Sequence, residues 1–225
     1  MRVPTIVILA LIAPLTALAG QASGGHSSDM SAGVRFGTLG IGGEISKLLS
    51  PHLGVRVGAN FFSLSHTFNE SGVTLAATLK MKAITGLVDF YPGERGSFHL
   101  TGGVITNPVD VSGTGQPAST GNFTINRHTY TAAQVGTLSA TGKWPGASPY
   151  FGFGFGTPAT THTTLRFVLD IGAAIGKPGV TLLASNPTNN ATLASDVAAQ
   201  RDTIQTKANK LPVYPAISLG LVIRF

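Results

Sequence analysis

Alternation between large apolar residues and small or polar ones dominates the chain from residue 37 onward. In one clear example, Phe151, Phe153 and Phe155 alternate with glycines. Successive side chains of a β-strand point to opposite faces, so a period of two predicts strands with one apolar face. The alternation recurs in eight segments, which are residues 37–45, 53–61, 73–83, 98–104, 138–144, 151–155, 165–175 and 217–225. The pattern therefore predicts an all-β protein.

The face opposite the large residues carries mainly Gly, Thr, Ser and Ala, with scattered charges of both signs. A soluble β-sandwich would instead bury its bulky side chains and expose many Lys, Glu and Thr residues. Small residues and pairable charges suit the narrow interior of a closed barrel whose apolar side chains face lipid. We therefore predict an antiparallel transmembrane β-barrel. The charged residues expected to form a network in its lumen are Glu44, Arg56, Lys80, Lys82, Arg166 and Asp170.

Eight strands are the preferred count, and ten are the alternative. Segment 179–184 is a ninth candidate, but single-chain bacterial barrels have even numbers of strands. Excluding it leaves eight, and some short turns then fall on the outer side. A further strand near the N-terminus would restore the usual arrangement of loops. Asp89 falls on the predicted lipid-facing side of its strand, so we expect either a bulge near Thr85 and Gly86 or an interfacial position for Asp89.

Two insertions interrupt the alternation. Residues 107–132 are rich in Gly, Thr, Ser and Asn, which predicts a long exposed loop. Residues 190–211 predict a short amphipathic helix inserted before the last strand, with Asp196 near its start and Lys207 and Lys210 near its end. Its apolar stripe is thin, which favours a helix folded over the barrel rim rather than a partner-binding or coiled-coil helix. The stripe consists of Leu193, Val197, Ile204 and Leu211.

The first residues have the features of a secretory signal peptide. Met1 and Arg2 give a positive start, Val3 to Leu15 is almost entirely apolar, and Ala17-Leu18-Ala19 forms a cleavage pattern of small residues. We therefore predict a signal peptide over residues 1–19, a flexible segment over 20–32 and the barrel over 33–225.

Composition excludes several classes of protein. The chain has 225 residues, of which 43% are hydrophobic and 11% are charged, and it contains no cysteine. These values exclude disulfide scaffolds, thiolate metal sites and disordered chains. After residue 20 there is no run of 18 apolar residues, so a helical membrane protein is excluded as well. The formal charge of +6 is dispersed along the chain rather than clustered, so no nucleic-acid partner is expected.

Three short stretches resemble known barrels. Residues 215–225 resemble the closing strand of bacterial outer-membrane barrels, which ends in an aromatic residue. Residues 149–156 and 88–92 are similar to strands and turn boundaries of small barrels of the OmpA, OmpW and opacity-protein type. The resemblance implies a Gram-negative outer membrane, about eight strands, and recognition of the last strand by the barrel-assembly machinery. The residues of this candidate assembly signal are Tyr214, Ile217, Leu219, Leu221, Ile223 and Phe225.

Candidate catalytic chemistry is sparse. His66, near Ser63, Ser65 and Glu70, is similar to the Ser/His/acid set of an outer-membrane lipid A deacylase, but a catalytic triad is defined by geometry and not by closeness in sequence. The histidines show no metal-ligand spacing. We therefore expect no catalytic, cofactor or metal site.

The leading hypothesis for function is a non-enzymatic integral outer-membrane protein with a structural or surface-exposed role. Its expected partners are outer-membrane lipids and the barrel-assembly machinery, and it has a possible, unspecified surface ligand. The first alternative is a narrow outer-membrane channel for small solutes. The second is a lipid-modifying outer-membrane enzyme.

Overall fold

A computed structural model describes residues 30–70, 73–93, 97–106, 108–117, 122–156, 165–186 and 190–224. The predicted signal peptide lies outside these ranges. The strands are β1 (Met30–Gly37), β2 (Gly40–Ser50), β3 (Leu53–Glu70), β4 (Val73–Phe90), β5 (Phe98–Ile105), β6 (Asp110–Pro117), β7 (Asn122–Ile125), β8 (His128–Thr131), β9 (Leu138–Lys143), β10 (Ser148–Gly156), β11 (Leu165–Ile175), β12 (Gly179–Ala184) and β13 (Val213–Arg224). The helices are α1 (Ala132–Val135) and α2 (Ala191–Ala208).

Eight antiparallel strands close into a barrel, in the order β1, β2, β3, β4, β5, β10, β11 and β13. This confirms the predicted eight-stranded barrel with one helix before its last strand. Segments 138–144 and 179–184 do form strands, β9 and β12, but these lie outside the barrel. The first barrel strand begins at Met30, within the segment 20–32 for which the sequence predicts flexibility.

Large apolar side chains cover the outside of the barrel. They occupy alternate positions and point away from the lumen, as the sequence pattern predicts for most strands. Phe167, for example, is 76% exposed. The exposed set forms a belt that includes every barrel strand: Val34, Phe36, Ile41, Ile45, Leu53, Val57, Ile84, Val88, Phe90, Leu100, Val104, Phe151, Phe153, Phe155, Leu165, Phe167, Ile217, Leu219 and Leu221.

The expectation for Asp89 is wrong. Strands β3 and β4 pair without any shift from Leu53 opposite Phe90 to Glu70 opposite Val73, so β4 contains no bulge. Asp89 points into the lumen and is only 2% exposed. The sequence pattern was misleading because Leu75, an apolar residue at an odd position near the start of β4, packs on a protein core beyond the barrel rather than facing lipid. The same strand face thus changes its environment partway along β4.

Three strands are interrupted where the barrel ends. Strand β4 pairs with β5 at Thr85 opposite Ile105 and with β6 at Lys80 opposite Asp110. These two pairs have the same register, so β5 and β6 are two halves of one strand that is broken at residues 106–109. Strands β10 and β9 are related in the same way across residues 144–147. Strands β11 and β12 are separated by residues 176–178. Each interruption contains a proline, which has no N–H to give to a neighbouring strand. These prolines are Pro108, Pro145 and Pro178.

The strands that continue past this level form a lobe on one end of the barrel. We define the lobe as the upper halves of β3 and β4 together with β6, β9, β12, the β7–β8 hairpin and α2. Residues 107–132 are therefore not the predicted loop, since they include β6, β7 and β8. Helix α2 packs on the lumen-facing side of the lobe sheet, where Leu193 is fully buried. The lobe core consists of Phe123, Ile125, Tyr130, Val135, Leu182, Ala184, Leu193 and Val197.

Helix α2 begins at Ala191, close to the predicted start at residue 190. The side chain of Asn190 accepts a hydrogen bond from the Leu193 backbone N–H at 3.0 Å, which caps the helix. Among the residues that the structure describes, no helix is long and apolar enough to cross a membrane.

Candidate functional site: an ionic network in the lumen

Arg56 on β3 lies at the centre of a buried ionic network. Its two terminal nitrogens each donate to a different carboxylate oxygen of Asp170, both at 3.1 Å. Its Nε lies 2.7 Å from Oδ2 of Asp89, and its Nη1 lies 3.7 Å from Oε2 of Glu44. One guanidinium thus contacts three carboxylates, and the contact with Asp170 is bidentate, the arrangement that gives arginine pairs their directional strength.

Further groups extend the network to neighbouring strands. Arg35 on β1 donates to Oε1 of Glu44 at 2.7 Å and also pairs with Asp170. Nε2 of His99 lies 2.8 Å from Oδ1 of Asp170. The hydroxyl of Thr101 donates to Oδ1 of Asp89 at 2.7 Å. The network therefore joins β1, β2, β3, β4, β5 and β11 across the lumen.

Burial makes this network sensitive to the loss of any member. The side chains of Arg35, Glu44, Arg56, Asp89 and Asp170 are each less than 10% exposed. Two guanidinium groups face three carboxylates, and each guanidinium lies within 4 Å of at least two of them. A buried charge that loses its partner is strongly destabilising, because nothing else replaces the water that it gave up on folding.

The lumen has little free space on either side of the network. Towards the end with the short turn at residues 51–52 there is a cavity of about 60 Å³, and towards the lobe there is one of about 40 Å³. Each has room for only a few water molecules. Next to the second cavity lies an apolar cluster of buried side chains, which consists of Leu39, Ala83, Ile105, Tyr150, Ala174 and Ala216.

The structure brings together three of the six predicted lumen charges. Glu44, Arg56 and Asp170 are all members of the network. Arg166 is also buried and lines the cavity nearer the short turn. Lys80 and Lys82 are exposed on the outward face of β4, so their assignment to the lumen is corrected. The reason is the same as for Asp89, since the inward face of β4 is its odd-numbered one.

Sequence reasoning missed Arg35, Asp89, His99 and Thr101. A signal for Arg35 was present, because Ala32, Val34 and Phe36 alternate with small or polar residues as in the other strands. His99 and Thr101 lie on the polar face of a segment that was correctly identified as a strand. What the sequence lacks is the barrel register, which places residues of distant strands at the same height.

The candidate assembly signal divides between two faces of β13. Ile217, Leu219 and Leu221 are exposed on the outward face with Ile223, whereas Tyr214 points inward and its hydroxyl donates to the Thr38 carbonyl. Phe225 lies outside the described residues. A role for these residues in assembly stays a prediction.

The Ser/His set is not assembled. His66 stacks on Phe68 with ring centroids 6.1 Å apart. Ser63 and Ser65 lie on the opposite face of β3, because adjacent residues of a strand point in opposite directions. The hydroxyl of Ser65 is hydrogen-bonded to that of Thr78 at 3.0 Å. This part of β3 therefore does not place a serine nucleophile beside the histidine base.

A second polar cluster connects the β7–β8 hairpin to helix α2 by hydrogen bonds. The carboxylate of Asp196 accepts hydrogen bonds from Tyr130 Oη, from Asn126 Nδ2 at 3.0 Å, and from His128 Nδ1 at 2.6 Å. The hydrogen bond from Tyr130, followed by that from Asn126, lowers the pKa of Asp196 to about 2. The same hydrogen bond raises the pKa of Tyr130 to about 12.

The lobe should therefore loosen in acid. A carboxyl whose pKa is lowered by folding stabilises the folded state above its ordinary pKa of 3.8, and this stabilisation is lost as the pH falls towards 2. The protection factors of the β7–β8 hairpin amides, which correct hydrogen exchange for its intrinsic dependence on pH, should fall over that interval. Asp196→Asn should exchange faster already at pH 6 and lose this pH dependence, whereas the exposed Asp202→Asn should behave as wild type. An Asp196→Asn profile identical to wild type would contradict the assignment.

Comparison with known proteins identifies the fold. No family model and no curated protein matches the chain. Among solved structures, Acinetobacter baumannii CarO is 20% identical with a TM-score of 0.54, over 87% of this chain and 97% of that one. CarO2 of the same organism is 19% identical with a TM-score of 0.55, over 87% and 98%. Ail, the attachment invasion locus protein of Yersinia pestis, is 13% identical with a TM-score of 0.36, over 87% and 93%. The likeness to the two CarO structures shows that the chain shares their barrel fold, which confirms the fold that the sequence resemblance implies.

Proposed function

We propose that this chain is an integral outer-membrane protein with a closed, non-conducting and non-catalytic barrel that anchors the lobe outside the membrane. The observation that carries the proposal is the apolar belt together with the ionic network inside it. The belt gives the barrel an exterior suited to lipid, and the network closes its interior.

The apolar belt supports insertion into a bilayer. Exposed apolar surface on a soluble monomer is limited to patches of a few hundred Å², whereas here Phe, Leu, Ile and Val surround the barrel. Tilted strands of about 9 to 11 residues span the hydrocarbon layer, and β2, β11 and β13 have this length or slightly more. The closed barrel also pairs the backbone groups that lipid cannot satisfy.

The two rims differ in a way that supports an orientation. One rim has the two-residue turn at 51–52 and the connections at 91–97 and 157–164, and the other has the two-residue turn at 38–39 and the whole lobe. Barrels of the outer membrane have short periplasmic turns and longer extracellular segments. We therefore place the lobe on the cell surface, where it would contact the environment. In this proposal the signal peptide directs export and the assembly machinery reads strand β13.

A gel-shift experiment tests membrane insertion. The mature chain refolded into detergent should migrate faster unboiled than boiled and should give a β-sheet circular dichroism spectrum. A chain that stays dissolved and monomeric without detergent would contradict the proposal. Boiled and unboiled samples with equal mobility would contradict it as well.

The second candidate function is a narrow channel, which the cavities on both sides of the network favour. The two functions differ in ion conduction. We expect no current steps when the purified barrel is added to a planar bilayer, because both the network and the apolar cluster around Tyr150 would have to open for ions to pass. Reproducible single-channel steps that disappear with heat-denatured protein would favour the channel instead.

A further inference from the structure

Three lysines lie close together where the barrel meets the lobe. Lys80 on β4 pairs with Asp110 on β6, and Asp110 pairs with Lys143 on β9. Paired residues of an antiparallel sheet share a face, so these three side chains form one row. Lys82 lies two residues nearer the barrel on the same face of β4. The four residues line a cavity of about 330 Å³ together with Val109 and Trp144.

The lysines lie on the same face as the apolar belt, directly beyond its edge. Lys82 pairs with Phe61, which is 59% exposed, and Ile84, also 59% exposed, is two residues further into the belt. A strand rises about 3.3 Å per residue, so Lys80 lies roughly 13 Å from Ile84 along β4. On the proposed orientation, this is the level at which the outer leaflet carries its headgroups.

Charge at this cavity is strongly positive. Three ammonium groups face one carboxylate, and the only close pair among them is that between Lys143 Nζ and Asp110 Oδ2 at 3.6 Å. Both members of this pair are well exposed to solvent, so Asp110 offsets only part of the positive charge. Lys80 and Lys82 are exposed on the outward face. Ammonium groups converging on a cavity fit a phosphate group.

We propose that Lys80, Lys82 and Lys143 bind the phosphate of a lipid headgroup in the outer leaflet, with the acyl chains of that lipid lying against the belt below. This inference rests on the proposed membrane insertion. It takes a lipid rather than a soluble phosphate as the ligand, because Lys82, which lines the cavity, pairs with the exposed Phe61 and lies two residues from Ile84 of the apolar belt.

The experiment compares two double variants with the same change of charge. Lys80→Gln/Lys82→Gln removes two charges from the cavity, and Lys207→Gln/Lys210→Gln removes two from helix α2 and the turn after it. Binding of lipid A with two phosphates to the detergent-solubilised barrel is measured by native mass spectrometry. Monophosphoryl lipid A and inorganic pyrophosphate serve as the comparison ligands. The unboiled gel mobility of each variant reports whether its barrel is folded.

We expect Lys80→Gln/Lys82→Gln to weaken binding of diphosphoryl lipid A about tenfold, and the helix variant to weaken it less than about twofold. The cavity variant should keep its gel shift, and its preference over monophosphoryl lipid A should disappear. Equal losses in both variants, or no loss in either, would overturn the site. Pyrophosphate binding as tight as that of lipid would overturn the lipid assignment. A wild-type chain without any gel shift would overturn the membrane proposal and this one together.

Discussion

Arg56→Ala should lower the free energy of unfolding of the barrel by about 3 to 5 kcal/mol, the range for breaking a buried ion pair by removing one partner. The guanidinium of Arg56 is the shared partner of Asp89, Asp170 and Glu44. Its removal leaves these carboxylates close together in a lumen with little water. Arg35 still reaches Glu44 and Asp170, but Asp89 keeps only Thr101 and the more distant His99.

The measurement is a urea titration followed by the fraction of unboiled protein that migrates as the compact band. Arg201→Ala is the control, because Arg201 lies on helix α2, is well exposed and, within the part of the chain that the structure describes, forms an ion pair only with the neighbouring Asp202. Its midpoint should stay within the error of wild type, since exposed pairs contribute about 0 to 1 kcal/mol. A midpoint for Arg56→Ala equal to that of Arg201→Ala would show that the network does not hold the barrel together.

Gly42→Ala should prevent the barrel from closing normally. A Cβ at Gly42 would lie 2.0 Å from the backbone oxygen of Ala59 on the adjacent strand and 2.4 Å from the Asn60 side chain. A backbone oxygen in a paired strand cannot move away without breaking hydrogen bonds of the barrel wall. We expect a loss above about 3 kcal/mol, at the upper end for overpacking a well-packed site.

Gly86→Ala makes the same chemical change at another wall position. Nothing lies within 4 Å of a Cβ at Gly86, which faces outward on β4. The two variants can be compared by their folded yield in detergent and by their gel shift. Gly42→Ala should give little compact band, whereas Gly86→Ala should match wild type. Equal yields would show that strands β2 and β3 are further apart at this point than the structure indicates.

The barrel can be predicted from the sequence because each strand is identified by the alternation of residues within a short segment. Alternation over a few residues identifies strands such as β10 and β11, and a closed antiparallel sheet is the arrangement that suits small, paired residues on the inner face. The helix α2 was likewise predicted from spacing and charge within one segment. In each case the information lies in neighbouring residues.

Errors arose where the environment of a strand changes along its length. Lys80, Lys82 and Asp89 were assigned to the wrong faces because the apolar side of β4 faces the lobe core in its upper half, while its lower half places Asp89 in the lumen. Residues 110–117 belong to a segment rich in Gly, Thr, Ser and Asn that predicts a loop, yet pairing on both sides with β4 and β9 makes them a strand. Neither fact can be read from periodicity, which carries no information about what lies opposite a face.

The network itself could be predicted only in part. Glu44, Arg56 and Asp170 were found because they are charged residues among small ones. The partner of each depends on the stagger between strands, and that is a property of the whole barrel. Asp196, predicted only as a favourable charge at the start of a helix, proved to be the main contact between that helix and the β7–β8 hairpin.

The register is unbroken across two of the three strand interruptions, and the lobe joins the barrel wall at directly paired residues, which makes the protein modular. Ile105 and Ser148 are direct partners on β5 and β10, and Ile175 and Val213 are direct partners on β11 and β13. A short hairpin turn such as Asn-Gly can connect residues at such positions. Both excursions into the lobe therefore leave and re-enter the wall at places where a minimal turn would fit. The barrel could therefore carry a different surface domain in place of the lobe without any change in its own eight strands.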